Sequence, residues 1–293
     1  MRQKGFRFVI GCLPICLFMT FSIFIAAPSP VQALITSISV ESITLERDPV
    51  VGTSPAIQRY NLIKIENAVG TVVLFAGGNG KVGVGDGQLS IGYANFLVQS
   101  RFYFAAEGFN VVVIDAATDF WQLPDGLYGW RTSDEHLSDI SAVINDLPNK
   151  LGETGPICLI GTSRGTISVG AYAAEKPSDS IDCIVLTSSV TRFRASFPIA
   201  QNLLDDVDIE SINVPVYLVA HENDLCDVTP PSDVTVLKSR LSVGSPKVKT
   251  KIFDGGTTTL TDECDPLAAH GFFGIEPNVV QDIGKWIRKT IAE

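Results

Sequence analysis

The chain has 293 residues and a formal net charge of −10, with 22 basic side chains against 32 acidic ones. A chain this acidic is poorly suited to a phosphate backbone, which argues against nucleic-acid binding. Its length suits one large domain with a sizeable core, or at most two small ones.

Arg2, Lys4 and Arg7 precede an almost wholly apolar run from Phe8 to Ala27, which Pro28 and Pro30 break. Val31-Gln32-Ala33 then offers small residues suited to a signal peptidase. The pattern predicts a secretory signal over residues 1–33, cleaved after Ala33. The mature domain, 34–293, is then secreted or periplasmic, with no stable membrane association. An uncleaved anchor is the alternative, because the run is nearly long enough to span a bilayer. Pro14 and the cleavage-like site favour removal. "VIGC", ending at Cys12, resembles a lipoprotein box but leaves too little apolar chain before it. Losing a leader with three basic residues and no acidic one takes the charge from −10 to −13. Cys12 and Cys16 leave with it, and Cys158, Cys183, Cys226 and Cys264 remain, an even number for an oxidising compartment.

From Leu34 to about Val69, "ISVESITLE" and "YNLIKIE" alternate apolar and polar residues, the period of a half-exposed antiparallel sheet. The texture then changes. "TVVLF", "NVVVID", "ICLIG", "CIVLTS" and "VPVYLVA" are short continuous apolar runs, which fit strands buried on both faces of a parallel sheet. Helical patterns separate them. One covers Tyr93 to Glu107. Another covers Ser133 to Leu147, striped by Leu137, Ile140, Ile144 and Leu147, with Thr132 and Glu135 as a capping box. A third, Thr166 to Ala174, carries small residues. The last is striped by Val279, Val280, Ile283, Trp286 and Ile287 behind Pro277. Strands alternating with helices predict a doubly wound α/β sheet, whose ligands sit at the carboxyl ends of the strands.

"TVVLFAGGNGKVGVGDG", Thr71 to Gly87, is a buried strand that ends in glycines. As a phosphate loop it fails, because Phe75 and Val82 stand where Gly and Ser or Thr are required. Gly78, Gly80 and Gly83 satisfy the dinucleotide fingerprint, but no helix opens at once. Asp115, at the end of the next strand, lies about thirty residues on rather than roughly twenty. The third reading is a backbone cradle for a reacting oxyanion, which needs a nucleophile elsewhere.

Gly161-Thr162-Ser163-Arg164-Gly165 is G-x-S-x-G between a buried strand and a small-residue helix, the pattern of a nucleophile elbow. A serine so placed needs a base, and the base an orienter. The chain has three histidines. His136 falls on a predicted helix, where a solvated or satisfied ring is expected. His221 lies beside the acid candidates Glu222, Asp224 and Asp227. His270 stands in a loop before the last helix.

In this order of motifs the region from Thr71 onward resembles the α/β-hydrolase superfamily. The resemblance rests on the strand-end glycines, "GTSRG", "HEND" after a strand, and "AHGF" before a final helix. It implies an α/β-hydrolase fold: a mostly parallel sheet with helices on both faces, an antiparallel N-terminal edge and a small or absent lid. It implies a triad of Ser163, His270 and Asp224, with Asp227 in reserve, and an oxyanion hole from the N–H of Arg164 and one near Gly78 or Asn79. Many relatives place His-Gly where this chain has Ala76-Gly77, which leaves open which N–H completes the hole. The loops bearing Asp224 and His270 must converge in such a fold, which implies a Cys226–Cys264 disulfide. Cys158 and Cys183 are expected as two packed thiols near the starts of buried strands.

The implied activity is that of a secreted serine esterase (EC 3.1), acting on a small-molecule or polymer ester through an acyl-enzyme, with thioester and amide substrates open. No metal-ligand spacing appears, and the chemistry needs no cofactor. Trp121, Tyr128 and Trp130 are candidates for lining an apolar substrate pocket, or for packing their loop onto the body. Arg131 and Arg164 either recognise an acidic group or pair with structural carboxylates. Two other classes remain: a non-catalytic hydrolase-like binding protein, and a dinucleotide-dependent oxidoreductase on the Gly78 fingerprint.

Overall fold

A computed structural model of the chain describes residues 34–85, 89, 95–175, 180–193, 201–257 and 262–293. These residues belong to one compact unit. Eight strands form one sheet in the order β1-β2-β4-β3-β5-β6-β7-β8. The alternating segments β1 (Ile35–Thr44) and β2 (Ile57–Ile65) pair antiparallel at the edge, and β2 runs antiparallel to β4 (Asn110–Ile114). Every pairing beyond that is parallel, through β3 (Thr71–Phe75), β5 (Ile157–Thr162), β6 (Cys183–Thr187), β7 (Val216–His221) and β8 (Val248–Phe253).

The continuous apolar runs are buried on both faces. Val73 and Phe75 of β3 belong to the core on the face covered by α3 (Asp134–Leu151), α4 (Gly165–Glu175) and α6 (Val234–Leu241). Val72 and Leu74 point the other way, into the core on the face covered by α1 (Phe96–Ala106) and α7 (Glu276–Ile291). The two-residue period of the strand therefore builds two cores, and each fully buried aliphatic side chain contributes about 1.5–3 kcal/mol. Two short helices, α2 (Thr118–Gln122) and α5 (Leu203–Asp206), lie in connections.

Two details differ from the sequence reading. Ser133, not Thr132, caps α3 by accepting from His136 N at 3.3 Å, while the Thr132 hydroxyl accepts from Gln201. Strand β8 carried no apolar run to announce it. It is an edge strand whose Lys249 and Lys251 pair with Asp282 of α7, the charged trim that protects a sheet edge. The start of the helix expected from Tyr93 and residues 194–200 of the expected lid region lie outside the described residues. Among the described residues no helix is long and apolar enough to cross a membrane.

The sheet order decides where a ligand can sit. From β3 the chain turns to β4 on one side and then crosses to β5 on the other. Phe75 and Gly161 are register partners, so the loops leaving β3 and β5 diverge side by side at a topological switch point.

His136 is buried on α3, edge-on to Phe120 and 2.9 Å from the Ser168 hydroxyl. Burial, with Arg131 and Arg47 nearby, pushes its pKa down to about 3. In the unfolded chain the ring takes up a proton below about 6.5. Between those values the unfolded state binds the extra proton, so stability rises with pH and is lost by about 1.4 kcal/mol for each unit that the pH is lowered. Urea unfolding should therefore show His136→Gln closing on, or overtaking, the wild type by about 2–3 kcal/mol between pH 7 and pH 4.5. Parallel pH profiles would contradict this assignment.

Candidate active site

Strand β5 delivers the chain into the turn that holds Ser163, and α4 opens at Gly165. Ser163 has φ +51°, a left-handed conformation that costs a non-glycine residue about 1–3 kcal/mol. Its surroundings impose it. Ser163 N donates to Thr187 O at 3.0 Å, and Ser163 O accepts from Thr166 N at 2.9 Å and Thr166 Oγ1 at 2.6 Å. The flanking glycines follow from close approach. A Cβ on Gly161 would run into Gly165 O, and one on Gly165 into Phe75 O.

The loop after β3 packs against the same turn. A Cβ on Gly77 would fall 2.9 Å from Ser163 Cβ. Gly80 N donates to Gly77 O at 3.2 Å, and Asn79 Oδ1 accepts from Lys81 N at 3.1 Å. Asp115 anchors the loop's far end. Its oxygens accept from Val82 N and Val84 N at 2.8 Å, Ala116 N at 2.9 Å and Trp121 Nε1 at 3.1 Å. Burial raises its pKa against the pull of those four donors. The carboxylate that a dinucleotide would need for its ribose is thus buried and spent on the chain itself.

His270 sits in a short 3₁₀ turn, Ala269–Gly271, ahead of α7, and Asp224 follows β7. His270 Nδ1 is 3.0 Å from Asp224 Oδ2, and both side chains are buried. Thr229 Oγ1 donates to the same carboxylate oxygen at 2.9 Å and stands 3.1 Å from His270 Nδ1, while Asp224 Oδ1 accepts from Cys226 N at 3.0 Å. Ser188, at the end of β6, donates to His270 O at 2.8 Å. Asp227 and Glu222 are exposed, so of the three acid candidates Asp224 is the one against the imidazole. His221 is buried between Gly255 O and Asn223 N, and holds its own loop.

Ser163, His270, Gly77, Gly78, Asn79 and Cys264 line one cavity of about 250 Å³. Trp121, Tyr128 and Trp130 do not line it. Trp121 reaches Asp115, Trp130 packs on Phe120 with ring centroids 5.7 Å apart, and Tyr128 lies beneath Arg164 at 4.5 Å. Arg131 pairs with no carboxylate among the described residues and does not line the Ser163 cavity. It is buried, and donates to Ser168 Oγ at 2.8 Å and to Ala76 O and Gly78 O at 3.1 Å. Nothing in the local sequence marks Arg131, Thr229 or Ser188 for these contacts, which join distant segments.

Cys226 and Cys264 form a disulfide, with Cα atoms 4.6 Å apart, that ties the Asp224 loop to the segment before His270. Cys158 and Cys183 are joined as well, which corrects the expectation of two thiols. They are register partners on the adjacent strands β5 and β6, with Cα atoms 4.7 Å apart and both side chains on one face of the sheet.

No family model matches the sequence, and no curated sequence does either. Solved structures do match in three dimensions. The Pyrococcus furiosus esterase Pf2001 aligns at TM-score 0.58 and 17% identity, over 87% of this chain and 93% of that one. A cold-adapted esterase from an Arctic intertidal metagenomic library aligns at 0.53 and 14%, over 85% and 94%. A putative dienelactone hydrolase from Klebsiella pneumoniae aligns at 0.56 and 12%, over 88% and 99%.

Non-reducing peptide mapping should recover both linkages, Cys226–Cys264 and Cys158–Cys183. Replacing Cys226 and Cys264 together with serine should lower the unfolding free energy by up to about 4 kcal/mol, the chain-entropy value for a loop of this length. Unchanged stability, or crossed pairing in the map, would refute the link between the two loops. In sheet order, helix placement and strand-end loops, this chain is an α/β-hydrolase-fold protein.

Proposed function

We propose that the protein is a secreted serine hydrolase that cleaves an ester through an acyl-enzyme on Ser163. One observation carries the reading: Ser163, His270 and the glycine loop after β3 meet in one cavity, with Asp224 behind the imidazole. The hydroxyl attacks the acyl carbonyl while His270 Nε2 takes its proton. Asp224 accepts from Nδ1–H, which keeps Nε2 free to act as the base and steadies the imidazolium as it forms. The oxyanion gathers its hydrogen bonds from the N–H of Arg164 and from the Gly77–Asn79 loop. His270 then protonates the departing alcohol. Water, activated by the same imidazole, releases the acid and restores Ser163. The esterases among its structural neighbours support this choice of bond, and the two disulfides with the N-terminal apolar run support an oxidising compartment.

A fluorophosphonate probe should label the wild type at Ser163, and a panel of acyl p-nitrophenyl esters should define the acyl length it accepts. Ser163→Ala should abolish labelling and lower kcat by about 10⁴-fold or more, and His270→Ala should cost nearly as much. Full hydrolysis by a folded Ser163→Ala protein would end the serine-hydrolase reading. A wild type that folds but neither labels nor turns over any ester or thioester would favour a binding protein instead.

A further inference from the structure

Arg131 is 2% exposed, and among the described residues no carboxylate pairs with it. Its Nε has no hydrogen-bond partner among them either. A buried, unpaired guanidinium is costly, and a fold that needed only a clamp there could use a neutral amide. Burial and the neighbouring Arg164 pull its pKa down to about 9, so the group remains a cation at neutral pH. What it holds is backbone. Nη2 donates to Ala76 O and Gly78 O at 3.1 Å, with Gly77 O at 3.5 Å. Nη1 donates to Ser168 Oγ at 2.8 Å, and that hydroxyl in turn lies 2.9 Å from His136 Nε2. Burial and the nearby guanidinium groups of Arg131 and Arg47 keep His136 neutral, so it adds no second charge beside Arg131.

In a trans peptide the C=O and the following N–H point in opposite directions. Turning Ala76 O and Gly78 O toward Arg131 therefore turns Gly77 N–H and Asn79 N–H away from it. Arg131 does not line the Ser163 cavity. It lines a separate small void with His136 and Gly80; Ala76 borders both, whereas Gly77, Gly78 and Asn79 line the Ser163 cavity alone. The N–H groups of Gly77 and Asn79 donate to no described residue.

We propose that Arg131 is the positioning residue of the oxyanion hole: from behind the loop it fixes the Ala76–Gly77 and Gly78–Asn79 peptides so that their N–H groups face the oxyanion that forms on the carbonyl attacked by Ser163, and its uncompensated charge favours that anion. The proposal rests on the serine-hydrolase reading above. A preorganised donor and a nearby buried charge act when the carbonyl oxygen becomes an anion, so they bear on kcat rather than on ground-state binding. A lysine keeps the charge but cannot span both carbonyls and Ser168.

The test compares the wild type with Arg131→Lys, Arg131→Gln and Ser168→Ala, each normalised to active sites titrated with a fluorophosphonate. Arg131→Gln should lower kcat about 10²-fold with KM within about threefold, the loss seen when one oxyanion donor is removed. Arg131→Lys should fall between it and the wild type, and Ser168→Ala should lose several-fold. Affinity for an aryl trifluoromethyl ketone, which forms a hemiketal anion on the serine, should fall by the same factors as kcat. A structural role alone would lower thermal stability without moving kcat per titrated site or the ketone affinity, and that result would overturn the proposal. If the Arg131 variants do not fold, Ser168→Ala decides: wild-type kcat and ketone affinity there also overturn it. A wild type that neither labels nor hydrolyses overturns the serine-hydrolase reading and this proposal together.

Discussion

The site depends on one close approach: the turn after β5 lies directly against the end of β3. Phe75 O fills the space a Cβ on Gly165 would need, Gly165 O fills that of Gly161, and Ser163 Cβ crowds Gly77. No side chain fits at these glycines without moving backbone. The turn, once held there, must be tight enough to force Ser163 to positive φ. The serine is presented rather than packed, and the glycine loop lies beside it rather than across a gap.

The strain at Ser163 is small beside what surrounds it. Strands β3 to β7 are buried on both faces, and their side chains supply the two cores on which the turn rests. The imidazole and its carboxylate need a different support, because they come from separate loops at the ends of β7 and before α7. Four contacts hold them: the Thr229 hydroxyl, Cys226 N, the Ser188 hydroxyl and the Cys226–Cys264 bond. None of the four uses Nε2, and His270 lines the cavity with Ser163.

The buried charges fall into two kinds. Arg47 is clasped by Asp119 and Asp139, with four hydrogen bonds between 2.6 and 3.1 Å, and fastens the segment after β1 to α2 and α3. That is how a buried guanidinium is normally compensated. Arg131, more deeply buried, has carbonyl oxygens and a hydroxyl instead. Its charge is left for the site, and Asp115, which anchors the other end of the glycine loop, is occupied by four N–H donors.

The sequence by itself determined what repeats or what steric rules demand. Continuous Val- and Ile-rich runs marked β3 to β7, because a strand buried on both faces has no polar side to show. G-x-S-x-G marked the elbow, because two backbone collisions demand glycine at fixed spacing. The order of Ser163, Asp224 and His270 marked which loops had to meet. Strand β8 escaped because an edge strand needs only one apolar face and can spend the other on lysines. The helix cap moved by one residue because Thr132 and Ser133 are chemically equivalent there, and Gln201, from a distant segment, took the first. The Cys158–Cys183 bond, the three aromatics turned away from the cavity, and Arg131 behind the glycine loop were decided by tertiary structure alone. Each depends on which side chains from separate elements share one register or one face, and local periodicity carries no record of that.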